Sequence, residues 1–188
     1  MEIINKKEKQ GFDLSDIAIL CRTNKECNTV SMLLIEKNIK VNSEELLALS
    51  SSKEVLLIIN IIKLKYDEND LEAKKDILKF ISLTKNKNNK YEFIQKHMIQ
   101  PTDKMFKEVL NIDYEVFSNL ELYQASEYVV SSIDFIDKAT MQVYFLLDEI
   151  YNFSYNKHSF LQSFTDYWEI KKEKLKVNLI EDTNAVKV

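Results

Sequence analysis

The sequence predicts a mainly α-helical chain with strand-bearing ends, and three observations carry that reading. The 188 residues include one glycine and one proline, far below ordinary usage. Few tight hairpins are therefore possible, and breaks between elements must fall on Asn, Ser, Asp and Lys. Through a middle of roughly 130 residues the apolar side chains recur at helical spacing. Short apolar runs near the two ends read as strands. At 45% hydrophobic and 30% charged residues, the composition is that of a globular chain with ample core material.

The elements follow in order. Glu2–Gln10 reads as the last turns of a helix, Lys-rich at its end and stopped by Gly11. Asp16-Ile-Ala-Ile-Leu-Cys21 is an apolar run ending in Arg22-Thr-Asn and reads as a buried strand. Asn24 is placed to cap a helix carrying Cys27, Val30, Leu33 and Leu34 at helical spacing. A second short strand, Ile39–Val41, follows Asn38. Strand, helix, strand forms a βαβ unit, which needs more parallel sheet than these residues offer. Ser51-Ser-Lys-Glu54 has the pattern of a capping box opening an apolar helix over Val55–Leu64. Asn69 is placed to cap the next helix, with Leu71, Ile77, Leu78 and Ile81 available to pack. Thr84–Lys90 reads as a loop. Further helices are predicted over Tyr91–Ile99, Thr102–Leu110, Leu120–Phe135, Ala139–Phe153 and Ser159–Lys172. Val177–Ile180 and Ala185–Val188 read as extended. No repeat of fixed period is visible.

Composition also excludes chemistry. A P-loop needs two glycines, a dinucleotide-binding turn three, and a nucleophile elbow two; Gly11 stands alone. Cys21 and Cys27 lie close together with no secretory signal before them, which points to a reducing, cytoplasmic setting. No apolar run approaches the length of a membrane span, so no membrane partner is expected. The net charge of −4 argues against a large non-specific nucleic-acid surface and leaves room for a local basic face.

Arg22 is the lone arginine against 25 lysines. A lysine-biased composition explains why arginines are few. It does not explain why this one stands just past an apolar strand, at the edge where α/β sheets bind ligands. A planar, permanently charged fork suits a transferring phosphoryl group, and lysine replaces it poorly. The bland reading is a strand-end residue paired with an acid such as Glu26. Cys21, Cys27, His97 and His158 lack zinc-like spacing, so no metal site is expected. Glu44/Glu45 and Asp148/Glu149 are adjacent acids that point apart on a helix and read as solvated face. Phe160, Phe164, Tyr167 and Trp168 at helical spacing read as core. The lysines of Lys171–Lys176 suit a helix C-terminus, with a DNA-phosphate role as the alternative.

The stretch Asp16-Ile-Ala-Ile-Leu-Cys-Arg-Thr-Asn-Lys-Glu26 resembles motif IV of the UvrD/Rep group of superfamily 1 DNA helicases, including the RecB and AddA helicase–nucleases. Val41-Asn-Ser-Glu-Glu-Leu-Leu and Ser50-Ser-Ser-Lys-Glu-Val55, before a long apolar helix, are similar to that family's entry into an inserted accessory subdomain. Ser159-Phe-Leu-Gln-Ser-Phe-Thr-Asp-Tyr-Trp-Glu169 resembles the AddA/RecB pattern of Phe-Leu followed by an aromatic pair. Asp182-Thr-Asn-Ala-Val-Lys-Val188 is similar to the strand leading into motif V. Nothing between about Asn86 and Asp134 takes part in the resemblance.

The resemblance implies residues 1–43 as part of a second RecA-like motor domain, 44–176 as a helical accessory insertion, and 177–188 as a strand returning to the motor domain. It implies a longer parent: an ATP-dependent DNA helicase, with or without exonuclease, acting in DNA repair with ATP and Mg as cofactors. Single-stranded DNA and a duplex junction would be its partners, alongside a possible helicase–nuclease subunit. The role of arginine finger to the ATP γ-phosphate falls on Arg22, which would both bind the nucleotide and act in catalysis. Motifs I, II, III, V and VI are absent, so these residues alone should not hydrolyse ATP. The alternative is a helical protein-interaction module without nucleotide chemistry.

Overall fold

The computed structural model describes residues 2–43, 48–85, 89–134, 140–156, 163–176 and 183–188. The first helix, α1 (Glu2–Lys9), ends as its glycine requires. Gly11 takes φ +90°, its N–H bonds to the Glu8 carbonyl, and the Phe12 N–H reaches back to Lys7. This is a Schellman closure, and the Lys7 ammonium lies over the Phe12 ring at 5.0 Å.

After a 3₁₀ turn at Leu14–Asp16 the chain runs through Ile17–Ile19 and into α2 (Asn24–Glu36). Asn38, left-handed at φ 58°, turns it into β1 (Val41–Asn42). The strand β2 (Val186–Lys187) pairs with β1 in parallel, Val41 opposite Val186. Its other edge pairs in parallel with Ala18. The bonds alternate along both edges: Val186 N–H to Lys40 O, Val188 N–H to Asn42 O, Lys187 N–H to Ile17 O, and Ile19 N–H to Lys187 O, all at 2.8–3.0 Å. The last residues therefore sit between the two early segments and supply the missing parallel neighbour.

A small core of Ile4, Leu34 and Val186 lies on one face of this group, joined by Ile17, Ile19, Val30 and Val41. Among the described residues nothing packs on the other face. Ala18 is exposed and Leu20 is 95% exposed, so the run expected to be a buried strand makes a single bridge at Ala18, with Ile17 and Ile19 half-buried on its inner side. An unbroken apolar run does not distinguish one buried face from two, because the alternation of Ile17 and Ile19 with Ala18 and Leu20 is hidden when both faces are apolar.

The helical body is built around α3 (Lys53–Tyr66). Val55, Leu57, Ile58, Ile59, Ile61, Ile62 and Leu64 are all buried, and each contributes about 1.5–3 kcal/mol relative to exposure. Around it pack α4 (Leu71–Thr84), α8 (Leu122–Ser132), α9 (Met141–Asn156) and α10 (Phe164–Lys171), while α5 (Lys90–Met98) packs on α4. Between them lie α6 (Thr102–Met105), a π-helical turn at Phe106–Leu110, and α7 (Tyr114–Asn119). The Phe106 ring meets Tyr114 at 4.9 Å and Phe117 at 5.4 Å, and Phe153 meets Phe164 at 5.3 Å. The body closes where it begins: Leu49 N–H bonds to Leu175 O at 2.9 Å, and Ala48 bridges Lys176 antiparallel.

Caps explain how helices start with so little glycine and proline. Thr23 rather than Asn24 caps α2, with Glu26 completing the box. Ser52 rather than Ser51 caps α3, and Ser51 instead donates to Ala48 O. Asp70 rather than Asn69 caps α4. In each case two neighbouring polar residues compete, and the one in extended backbone just before the first turn wins. Leu71 falls on the solvent side of α4, whereas Ile77, Leu78 and Ile81 are buried as expected. The Thr102–Leu110 helix continues α-to-π and stops at left-handed Asn111 (φ 60°). Helix α7, capped by Asp113, is an element the sequence reading left unassigned. Val177–Ile180 and residues 86–88 of the expected loop lie outside the described residues.

Candidate functional site

Arg22 stands in the bend between Ile19 and α2, at the carboxyl edge of the parallel group. The local sequence shapes that bend tightly. The Glu26 carboxylate accepts the backbone N–H groups of Arg22 (3.0 Å) and Thr23 (3.2 Å), and the Thr23 hydroxyl accepts the Glu26 N–H. Glu26 is thus occupied with backbone and does not pair with the guanidinium. Among the described residues no acid forms an ion pair with Arg22, whose side chain is exposed. Ser43, just past β1 at the same edge, is buried with no partner for its hydroxyl among the described residues.

Cys21 and Cys27 are free thiols beside this turn; desolvation first, then the neighbouring Cys27 and Glu26, push the Cys21 thiol up. Among the described residues no group of three or more His, Cys, Asp or Glu side chains is arranged to hold a metal ion. His97 is buried, its Nδ1 2.6 Å from Gln100 Oε1, and Gln100 in turn bonds to Glu108. It is a satisfied core histidine. Phe164, Tyr167 and Trp168 are core; His158, Phe160, Glu44 and Glu45 lie outside the described residues.

Asp148 and Glu149 do point apart, but they are not equivalent. Asp148 is exposed, whereas Glu149 accepts the Tyr167 hydroxyl across the α9–α10 contact. Burial first, then that bond, pushes the Tyr167 hydroxyl well above its ordinary range.

Charge is unevenly spread along the helical body. Between α3, α4 and α10 lies a groove of about 420 Å³, lined by Lys53, Lys63, Lys79 and Lys172 over Leu56 and Phe80. Two of its lysines, Lys63 and Lys172, share the single carboxylate of Glu169, and Asp76 also lines the groove. In contrast, from Glu108 to Asn156 the sequence has nine acids and a single cation, Lys138, together with six of the nine tyrosines. On α9 these residues form two stripes. Val143, Leu146 and Ile150 are buried, while Met141, Tyr144, Asp148, Tyr151 and Tyr155 are exposed.

The second stripe steps by three and four residues, the spacing of a helix seam. Tyr151 meets Tyr123 of α8 edge-on at 5.3 Å and stacks with Tyr155 at 5.7 Å. The Tyr123 hydroxyl donates to Glu127 at 2.9 Å. Sequence reasoning passed over this face. The signal was present in the cation-poor run and in the second apolar period on a helix that already had one.

No protein-family model matches this chain, and no curated protein matches it in sequence. The class defined by fold and geometry is accordingly a coarse one: a mainly helical protein with two short parallel strands, in which no described helix is long and apolar enough to cross a membrane.

Proposed function

We propose that this chain is part of an ATP-dependent DNA helicase or helicase–nuclease, in which Arg22 reaches the γ-phosphate of ATP held elsewhere in the longer protein. One observation carries the reading: the lone arginine stands at the carboxyl edge of parallel strands, its backbone held by the Glu26 carboxylate and its exposed side chain in no ion pair with an acid among the described residues. That arrangement fits a phosphoryl group, which a planar fork grips and a point charge does not. The order of the motif IV-like and motif V-like segments at the two ends supports it further. With one glycine, these residues offer no phosphate cradle, so their contribution to ATP is a single cation. Residues 1–43 and 177–188 would belong to a RecA-like motor domain and 44–176 to its helical insertion. The lysine groove on α3, α4 and α10 is the face suited to DNA phosphates. The work would lie in DNA repair in the cytoplasm.

A finger acts mostly in the transition state, by spreading positive charge over the γ-phosphoryl oxygens as the bond breaks. In the longer protein Arg22→Ala is expected to lower DNA-stimulated ATP hydrolysis on the order of 10³-fold while leaving DNA binding nearly intact. Arg22→Lys should restore little. Normal turnover by folded Arg22→Ala protein would retire the role. A gene lacking an upstream P-loop, or a Thr-Ile-His-x-Ser-Lys-Gly-Leu-Glu-like segment after Val188, would retire the whole reading.

A protein-interaction module without nucleotide chemistry is the second reading. The exposed aromatic stripe on α9 favours it.

A further inference from the structure

We infer that the outer face of α9, with Tyr123 and Glu127 of α8, is a docking surface for a cationic amphipathic helix of a protein partner. Tyr144, Tyr151 and Tyr155 are 55%, 49% and 77% exposed, although the same helix already spends its other stripe on the core. Large aromatics held in water at seam spacing are what a second helix covers: they bury much area and lose little side-chain freedom. From Met141 to Tyr155 the stripe runs about 21 Å along the helix axis, long enough for four turns of a partner.

Charge selects the occupant. Asp148 interrupts the stripe at its centre, Glu127 flanks it, and both carboxylates act on the Tyr123 hydroxyl, pushing it up, with the Glu127 bond the larger effect. Arginine suits such a surface, because its fork binds carboxylates while its plane stacks on tyrosine rings. Nucleic acid does not, since its phosphates would meet the carboxylates of Asp148 and Glu127, with no lysine or arginine on the described part of α9. A second copy of this chain does not either: it would bring the same acidic face, and neither Asp148 nor Glu127 would meet a cation from it. The surface is independent of ATP, so its failure would leave the role of Arg22 untouched.

The test uses the whole chain and two fluorescent synthetic amphipathic peptides with the same leucine seam, one flanked by arginine and the other by glutamate. Anisotropy titration should show binding of the arginine peptide that weakens with salt. The double variant Tyr151→Ala/Tyr155→Ala should bind it at least about tenfold more weakly, while circular dichroism and thermal melting remain those of the parent. Asp148→Lys/Glu127→Lys should reverse the preference toward the glutamate peptide. Equal binding of the two peptides, or unchanged binding by the tyrosine variant, would overturn the proposal. So would an oligothymidylate complex, or a dimer seen by sedimentation, that depends on Tyr151 and Tyr155.

Discussion

The ammonium of Lys63 on α3 lies 2.9 Å from the Glu169 carboxylate on α10, across 106 residues of sequence. The other carboxylate oxygen takes Lys172. The Lys172 bond, aided by Lys63 and opposed by desolvation, holds the Glu169 carboxyl below its ordinary value of 4.5. A depressed folded value means that the stabilisation is present above that ordinary value and is lost as pH falls through the folded one. Glu169 is 46% exposed, so screening keeps the contribution below about 1 kcal/mol. Denaturant titrations from pH 6 down to about 2 should show a shallower acid limb for Glu169→Gln than for the parent.

The Tyr167–Glu149 contact acts at the other end of the pH scale. Because the Tyr167 hydroxyl is raised, its stabilisation is fully present below the ordinary value of 10 and is lost as pH climbs through the folded value. Ultraviolet titration should therefore find one tyrosine that ionises only with unfolding, absent in Tyr167→Phe. That variant keeps the buried ring and loses a hydrogen bond to a charged acceptor. A stability loss of about 1.5–3 kcal/mol is expected by urea denaturation.

Cap register makes a pairwise prediction. Ser52→Ala and Asp70→Ala remove oxygens that accept the Val55 and Ala73 N–H groups, and each should cost about 1 kcal/mol. Asn69→Ala removes no cap and should cost clearly less than Asp70→Ala in thermal melts. The reverse ranking would put the helix start one residue earlier.

The one-sided segment is tested by a contrast of two apolar sites. Leu20→Ser, at a position 95% exposed, should change stability by no more than about 0.5 kcal/mol. Ile58→Ala, at a fully buried position on α3, should cost about 2–5 kcal/mol. A large cost at Leu20 would mean that its face is covered after all.

How much of this was legible in sequence depends on which force sets each feature. Helices with a single apolar stripe or an all-apolar surface, such as Lys53–Tyr66, follow from periodicity because burial fixes them. The turn at Gly11 follows from backbone sterics. Cap positions missed by one residue, because Thr23-Asn24, Ser51-Ser52 and Asn69-Asp70 offer equivalent chemistry and only tertiary placement decides. Tyr114–Asn119 is too short for its period to register, and its core residue Phe117 is held by Phe106, Tyr114 and Lys65. At the candidate site, Arg22 was conspicuous as the lone arginine. That Glu26 grips the backbone rather than the guanidinium was not readable, since spacing alone fits an ion pair equally well. The tyrosine face was written in the charge distribution, but which stripe of α9 faces inward is decided by α3 and α8.

The middle position of Val186–Val188 dictates the order in which the molecule can assemble. Ser15 and Asn184, which hydrogen-bond across this group, are 169 residues apart, and closing so long a flexible loop costs about 4 kcal/mol or more. Two-residue strands cannot repay that. The helical body can, because most of its packing is between near neighbours in sequence, and once it folds the Ala48–Lys176 bridge holds its entry and exit side by side. From the viewpoint of the strands, the entire body then counts as one crossover connection, and the last segment enters between its neighbours parallel to both.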